Sequence, residues 1–292
     1  MHKNNQKKSA GIAGRFFSPS LKLLHSTILF IFISAYVLSA QAAETSEPAI
    51  SIIIDDMGNQ HTLDQRVIDL PGKVTCSFLP HATFTKKLAV QAKRKHKEVM
   101  VHMPMQPENT EKLPPYSLTV DMTRAEFRKD LFSAIASVPY VEGINNHMGS
   151  LLTRHPGSMQ WLMEALKDRK GLFFVDSRTT VRTVAEEVAR ENSVPAIRRN
   201  VFLDDTQNRA EIRRQFKRLL KLARMHGTAV AIGHPHPDTL AVLEKEIPRL
   251  ARMNIRLVSV KTLIKLQNIR RHTWQTYSSP LQKVARSSKP SL

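Results

Sequence analysis

Residues 49–59 read AISIIIDDMGN, an apolar run that ends in two adjacent carboxylates, Asp55 and Asp56. The apolar run predicts a buried strand. Two ionised carboxylates side by side repel each other, and removing either from water is costly. The pair is therefore either a solvated strand end or the start of a metal site, and the rest of the chain must distinguish the two.

Beyond residue 48, apolar β-rich runs alternate with segments of helical period. The runs lie at 50–54, 74–79, 98–101, 141–144, 171–175, 197–203, 228–232 and 255–260, and the helical segments at 84–96, 123–137, 156–169, 180–192, 208–226 and 237–252. Such alternation predicts a parallel sheet covered by helices. The number of units favours a barrel-like α/β fold. An open doubly wound sheet is the alternative, although no G-x-G-x-x-G follows the first run.

Polar residues cluster where the predicted strands end. They are Asp55 and Asp56 on the first strand, His102 on the third, Asn145, Asn146 and His147 on the fourth, Asp176, Ser177 and Arg178 on the fifth, Asp204 and Asp205 on the sixth, and His234 and His236 on the seventh. In a parallel barrel these ends meet at one face, where active sites are built. We therefore expect the clusters to share one site.

Carboxylates and imidazoles together predict a divalent metal at this face. Zinc is the preferred ion, since catalytic zinc sites combine these ligands with an open position. Harder octahedral metals would want more oxygen ligands. Of two adjacent carboxylates, one can bind the cation, whose charge lowers the pKa of bound water, and the other can take the proton of that water.

The blocks IIIDDMG, VHMPMQP, NNHMGS, FFVDSRT, VFLDD and IGHPHPDT occur in the order shown by the divergent polysaccharide deacetylase family. The chain resembles that family over about residues 48–265. The resemblance implies a distorted or incomplete seven-stranded (β/α) barrel that removes acetyl groups from an envelope carbohydrate. It also implies that Asp55 is the base, Asp56 a metal ligand and His234 the acid.

The metal histidines depart from the pattern of the ordinary deacetylases, which use two histidines four residues apart. Gln106 stands at that spacing from His102, so the second imidazole must come from elsewhere. His147 is our choice, and His236 is the alternative. The residues expected to orient substrate or ligands are Asn146, Asp176, Arg178, Asp204, Asp205 and His236.

Two other classes of function stay open at this point. The missing second histidine of the family spacing suggests a non-catalytic metal- or glycan-binding envelope protein that acts through partners. A glycosidase would need two carboxylates about 5–10 Å apart across a cleft. Asp55 with Asp176 or Asp205 could form such a pair, although the histidine-rich face argues against it.

The charge balance is strongly basic. The chain has 44 Lys and Arg against 25 Asp and Glu, a net charge of +19. That balance suits an anionic glycan or an envelope surface. The basic residues are scattered and form no nucleic-acid recognition motif, so we expect no nucleic-acid partner. The single cysteine, Cys76, allows no internal disulfide and is expected to be a buried, inert thiol.

The N-terminus predicts export. Basic residues precede the apolar run TILFIFISAYVLSA at 27–40, and a small-x-small pattern predicts cleavage after Ala42. The run is short for a membrane span, which needs about 20 residues. We therefore expect a signal peptide at 1–42, a linker at 43–48, the barrel domain at 49–266 and a basic, disordered tail at 267–292. The alternative is an uncleaved anchor, the chain's only membrane contact. In either case we expect a periplasmic domain.

Overall fold

A parallel sheet curls around an apolar interior and carries helices on its outside. The computed structural model describes residues 47–109, 112–169 and 171–278, with side chains to residue 271. The strands are β1 (Ala49–Met57), β2 (Thr75–Phe78), β3 (Glu98–Met105), β4 (Gly143–Met148), β5 (Phe173–Asp176), β6 (Ala196–Arg198), β7 (Val201–Phe202), β8 (Thr228–Gly233) and β9 (Arg256–Leu257). The helices are α1 (His61–Asp69), α2 (Thr85–Arg94), α3 (Arg124–Ser137), α4 (Pro156–Asp168), α5 (Ala185–Glu191), α6 (Arg209–His226), α7 (Pro237–Glu246) and α8 (Val260–Ser278).

The strand order confirms the predicted parallel α/β fold. The strands pair in the order β6-β5-β4-β3-β2-β1-β8-β7, all in parallel, and β9 pairs with the start of β1. β6 and β7 lie at opposite ends of this order, yet they follow each other in the chain. At the break between them, Arg199 N donates to Asp176 O on β5 and Asn200 N donates to Val230 O on β8. The run from β6 to β7 therefore acts as one broken strand that spans the gap, which makes an incomplete seven-stranded barrel.

Alternate residues of β1, β3, β5 and β8 pack into two different apolar clusters. Ile53 and Ile232 pack with Val260 and Leu263 of α8 in the smaller cluster, which the sheet encloses. Their strand neighbours, such as Ile54, pack against the outer helices in the larger cluster. Successive side chains of a strand point to opposite faces, so this alternation identifies the inward-facing positions. The polar residues that share the inward parity can meet inside the barrel mouth.

Helix α8 corrects the predicted start of the tail. We expected disorder from residue 267, but the helix continues to Ser278. Its first turn is anchored by Glu98, whose carboxylate accepts hydrogen bonds from Val260 N at 2.7 Å and Lys261 N at 3.0 Å. Once a helix is nucleated, each further residue adds a hydrogen bond at little cost. The polar residues beyond 267 can therefore extend the helix.

Two predicted helices are shorter than expected. The segment predicted at 180–192 forms a helix only over Ala185–Glu191, and the segment at 237–252 is an α-helix only to Glu246, followed by two 3-10 turns. Among the described helices, none is both long and apolar enough to span a membrane. The predicted signal peptide, most of the linker and residues 279–292 lie outside the described residues.

Candidate metal centre

A bulge at the end of β1 brings both carboxylates to the barrel mouth. In a regular strand, adjacent side chains point to opposite faces. Here the pairing with β2 shifts register between Ile54 and Met57, and Asp56 has a left-handed φ of 56°. Bulges commonly redirect side chains beside active sites, and backbone strain of this kind collects at functional sites. Asp64 secures the following turn by accepting hydrogen bonds from Gly58 N at 2.8 Å and Gln60 N at 3.2 Å.

Asn145 links Asp55 to His102. The amide Nδ2 of Asn145 donates to both oxygens of Asp55, each at 2.9 Å. Its Oδ1 lies 3.0 Å from His102 Nδ1 and also accepts a hydrogen bond from Ser77 Oγ at 2.7 Å. Because an amide oxygen only accepts, His102 Nδ1 carries a proton. In the neutral imidazole this leaves the lone pair on Nε2, the arrangement that a metal-binding histidine needs.

Three donor atoms then converge beyond His102. His102 Nε2 lies 3.2 Å from Asp56 Oδ1, His147 Nδ1 lies 3.0 Å from the same oxygen, and the two ring nitrogens are 3.1 Å apart. Asp56 Oδ1 is buried and has no hydrogen-bond partner among the described residues. We call Asp56, His102 and His147 the donor triangle.

The donor triangle fits a divalent cation. Zinc with bonds of 2.0–2.1 Å places tetrahedral ligands about 3.3 Å apart. Octahedral ligands at the same bond length lie about 2.9 Å apart. The observed separations fall between these values, so they suit a cation without selecting its geometry. Side-chain exposure of 37% for Asp56 leaves one side of the triangle open to solvent.

The electrostatics of the triangle favour positive charge beside Asp56. Burial alone would raise the pKa of Asp56, but the rings of His102 and His147 hold it well below its usual range. Burial alone would lower the pKa of His102, but Asp55 and Asp56 raise it. Burial raises the pKa of Asp55, against the opposing effects of His102, His234 and Asn145. Asp55 thus retains more affinity for a proton than an ordinary carboxylate.

His234 forms an ion pair with Asp204 at the opposite side of β1. Its Nδ1 lies 3.0 Å from Asp204 Oδ1, and its backbone N donates to Asp204 Oδ2 at 2.7 Å. Thr239 Oγ1 also donates to Asp204 Oδ2, at 2.8 Å. Although burial would lower the pKa of His234, Asp204 raises it to about 9, and the pKa of Asp204 is lowered in turn despite its own burial. The remaining ring nitrogen, Nε2, lies 3.9 Å from Asp56 Oδ2 and can present a proton to the site.

We expect His234 in the metal-free protein to titrate near pH 9, where the ordinary value is 6.5. Since the folded-state pKa is raised, the pair stabilises the fold fully below about pH 6.5, and this contribution is lost as the pH rises through about 9. NMR titration of the imidazole measures the midpoint. In Asp204→Asn the midpoint should fall well below 9, because Asp55 and Asp56 are then the remaining carboxylates that oppose the effect of burial on the His234 pKa. A wild-type midpoint at or below 6.5 would contradict the ion pair.

The structure separates neighbouring residues that the sequence grouped together at the barrel mouth. Asp204, not Asp205, contacts His234; Asp205 is exposed and makes no hydrogen bond or ion pair within the part of the chain that the structure describes. His147, not His236, joins Asp56 and His102, whereas His236 groups with Asp204 and His234 and lies 3.0 Å from Gln207 Nε2.

Gln106 and three of the residues predicted to orient substrate or ligands make hydrogen bonds within or to nearby loops. The Gln106 side chain accepts a hydrogen bond from Val120 N at 2.9 Å. Asn146 accepts from Ser177 N at 2.8 Å and donates to Met148 O at 2.7 Å. Asp176 is buried and accepts from Arg178 N at 2.8 Å and Thr183 Oγ1 at 2.9 Å. The left-handed φ of 53° at Arg178 belongs to this same turn. Direct substrate contact by these residues stays a prediction.

Asn145 was expected at the shared face, but its role in linking Asp55 to His102 was missed. The alternation of a strand contains a signal for this role, because residues 145 and 147 lie on the same face. In the structure, the β3–β4 pairing places Asn145 directly beside His102. Arg199 was also missed. It occupies the break in the sheet, donating to Ser177 O at 2.6 Å and Arg178 O at 2.8 Å, and its guanidinium lies 4.5 Å from the ring of Phe202. Phe202 in turn stacks on His234.

Asn145→Leu should destabilise the fold by about 3 kcal/mol, because it leaves the buried Asp55 carboxylate without donors. Urea unfolding monitored by circular dichroism measures the loss. Asn192→Leu is the matched control, since that half-buried amide hydrogen-bonds only neutral groups, Gln160 and Val188 O. We expect about 1 kcal/mol there. Equal losses of unfolding free energy in the two variants would show that the hydrogen bonds to Asp55 stabilise the fold no more than those to neutral groups.

Together, the curled parallel sheet and its carboxylate–histidine mouth define a polysaccharide deacetylase-like protein. Residues 52–264 match the divergent polysaccharide deacetylase family, and the chain belongs to that family. It is 39% identical over 215 residues to the uncharacterized protein YibQ of Escherichia coli strain K12, covering 74% of this chain and 67% of that protein. It is 35% identical over 239 residues to an uncharacterized protein of Haemophilus influenzae, covering 82% and 84%.

A solved structure shares the fold. The crystal structure of the uncharacterized protein ATU2773 from Agrobacterium tumefaciens C58 superposes with a TM-score of 0.72 at 22% identity, covering 74% of this chain and 89% of that one. At this identity the similarity concerns the fold alone.

Proposed function

We propose that this protein is a periplasmic, metal-dependent hydrolase that removes acyl groups of the acetyl type from an envelope carbohydrate. The observation that carries the proposal is the donor triangle, flanked by a buried carboxylate, Asp55, and by a proton-bearing imidazole, His234. This arrangement supplies a cation site, a base and an acid within one barrel mouth.

Asp56, His102 and His147 would hold a divalent cation, with zinc suited to one carboxylate and two imidazoles. When bound, the cation supplies a Lewis acid that polarises the acyl carbonyl and lowers the pKa of water. Asn145 holds both the Asp55 carboxylate and the His102 ring, so it aligns the base with the cation site.

Asp55 and His234 divide the proton transfers. Asp55 takes a proton from the attacking water, aided by the raised pKa that burial gives this carboxylate. A C–O bond forms between that water and the acyl carbon, and the C–N or C–O bond to the sugar breaks. His234, protonated through its pair with Asp204, donates its Nε2 proton to the departing nitrogen or oxygen. The products are a carboxylic acid and the free amine or alcohol.

The choice of substrate and compartment rests on the family, on the net charge of +19 and on the N-terminal sequence. A basic protein suits an anionic cell-envelope glycan. An exported protein would meet that glycan in the periplasm, and the proposal includes an envelope protein partner there.

The alternative of a purely binding protein has less support. A structural zinc site is closed by four protein ligands, whereas the donor triangle has three and an exposed side. The glycosidase alternative is weaker still, because both oxygens of Asp176 are engaged by its own loop and Asp205 is exposed.

The proposal is tested by acetate release from chito-oligosaccharides and peptidoglycan, with the metal content of the purified protein measured in parallel. We expect release that requires Zn²⁺ or another divalent ion and stops on chelation. If metal binds but no acyl group is released with any of several divalent ions, the binding-protein alternative is correct.

A further inference from the structure

An apolar cavity adjoins the donor triangle on the side of His147. It has a volume of about 330 Å³, and His147 forms part of its wall. The apolar part of the wall consists of Leu79, Pro80, Ala82, Pro104, Pro114, Pro115 and the ring of Tyr116. We propose that this cavity receives the alkyl chain of the scissile acyl group, and that the protein therefore prefers acyl chains longer than acetyl. The inference rests on the proposed hydrolase function and deepens it.

The location of the cavity assigns it to the acyl side of the substrate. Its wall is built from the ends of β1 to β4 and the loop after β3, and no lining residue comes from β8. His234 ends β8, on the other side of β1. The leaving group must lie beside the proton donor His234. A carbonyl at the donor triangle then directs its alkyl chain the other way, past His147 and into the cavity.

The chemistry of the wall fits an alkyl chain better than a sugar ring. A sugar needs several hydrogen-bonding partners. Among the residues that the structure describes, this cavity is lined by no Asp, Glu, Lys or Arg, and its polar groups are Asn59, the Tyr116 hydroxyl and two histidines. Of these, His147 belongs to the triangle, and the His81 ring lies 3.3 Å from Ser133 Oγ. Apolar pockets with few polar groups bind alkyl groups through burial of their methylenes.

The backbone of part of the wall is conformationally restricted. Four of its lining residues are prolines, whose φ angles are fixed. His81 and Tyr116 both have left-handed backbones, with φ of 58° and 63°, and their rings lie 4.4 Å apart. The His81 backbone N also donates to Ser137 Oγ on α3 at 3.2 Å. A preformed wall of this kind costs little to order when a chain enters.

The test is a chain-length series with a constant leaving group. Zinc-loaded full-length protein is assayed with the 4-nitrophenyl esters of acetate, butyrate and hexanoate. Each methylene that is fully buried should raise kcat/KM by about fourfold, less where the cavity is open to solvent. Equal or falling kcat/KM along the series would overturn the proposal.

Two variants in the wall and one matched control assign the effect to the cavity. Ala82→Leu fills the cavity and should flatten the series, and Tyr116→Ala, which removes one wall, should weaken it. Tyr140→Ala is the control. Tyr140 resembles Tyr116 in exposure (56% for Tyr140, 50% for Tyr116) and in its left-handed φ of 62°, but it lies at the opposite end of the strands from the cavity. Thermal melts confirm folding. A series unchanged by either wall variant, or flattened equally by Tyr140→Ala, would overturn the assignment.

A binding measurement separates this inference from the proposed function. Hexanoate and acetate are titrated calorimetrically into the zinc-loaded protein. If neither the esters nor the chito-oligosaccharides and peptidoglycan release an acyl group, the proposed function fails, but tighter binding of hexanoate that Ala82→Leu removes would still support the cavity. Equal binding of the two acids would refute it. Chito-oligosaccharide binding that Ala82→Leu weakens would assign the cavity to a sugar ring and also overturn the proposal.

Discussion

Asp55→Asn is expected to reduce hydrolysis by about 10²–10⁴-fold, the contribution of a positioned general base. The substitution keeps the shape of the side chain but removes its ability to take a proton. Asp55 is not part of the donor triangle, so the variant should still bind one zinc ion. The loss therefore separates proton transfer from metal binding.

Single-turnover acyl release and zinc content are measured on the same preparations of the variant. Asp168→Asn is the matched control, since Asp168 is an exposed carboxylate on the outer surface whose one ion pair among the described residues is with Arg128. It should keep wild-type activity. Full activity in Asp55→Asn would exclude this carboxylate as the base, and a loss of zinc would show that it acts instead through the triangle.

His147→Ala is expected to weaken zinc binding more than about 100-fold, because even residues that only hydrogen-bond to metal ligands contribute 10–100-fold. Acyl release should be lost with the metal. His147 is the safer of the two triangle histidines to replace, since its side chain is 19% exposed, whereas His102 is buried in the Asn145 network.

His236→Ala is the control for this experiment. His236 belongs to the second carboxylate–histidine group, with Asp204 and His234, and should not affect zinc affinity. Competition titration against a chelating dye measures both variants. If His236→Ala loses zinc and His147→Ala keeps it, the ion binds at the second group and the assignment of the donor triangle is wrong.

The meeting of Asp56, His102 and His147 is predictable from the sequence because each lies at or near the end of an apolar run. Parallel strands bring such ends to one face. The structure adds that His102 and His147 lie inside β3 and β4, where backbone pairing fixes their neighbours. A strand can continue through polar residues such as His102 and His147 when their side chains face the barrel mouth and make polar contacts there.

The finer contacts were not predictable, because they depend on register and on loop conformation. The choice between Asp204 and Asp205 depends on which residue faces His234, and a broken strand precedes both. The bulge that brings Asp55 and Asp56 to one site requires the left-handed φ of Asp56, an unusual conformation for a residue other than glycine. Helix α8 continues beyond residue 267 because Glu98, distant in sequence, anchors its first turn.

The chemistry proposed for the barrel mouth requires that Asp56, His102 and His147 bind a divalent metal ion. This binding is tested by an anomalous difference map at the zinc absorption edge, from crystals of the protein grown with Zn²⁺. We expect one peak at about 2.0–2.2 Å from Asp56 Oδ1, His102 Nε2 and His147 Nδ1, with its remaining position open to solvent. A peak between Asp204, His234 and His236 instead, or no peak at either group, would contradict it.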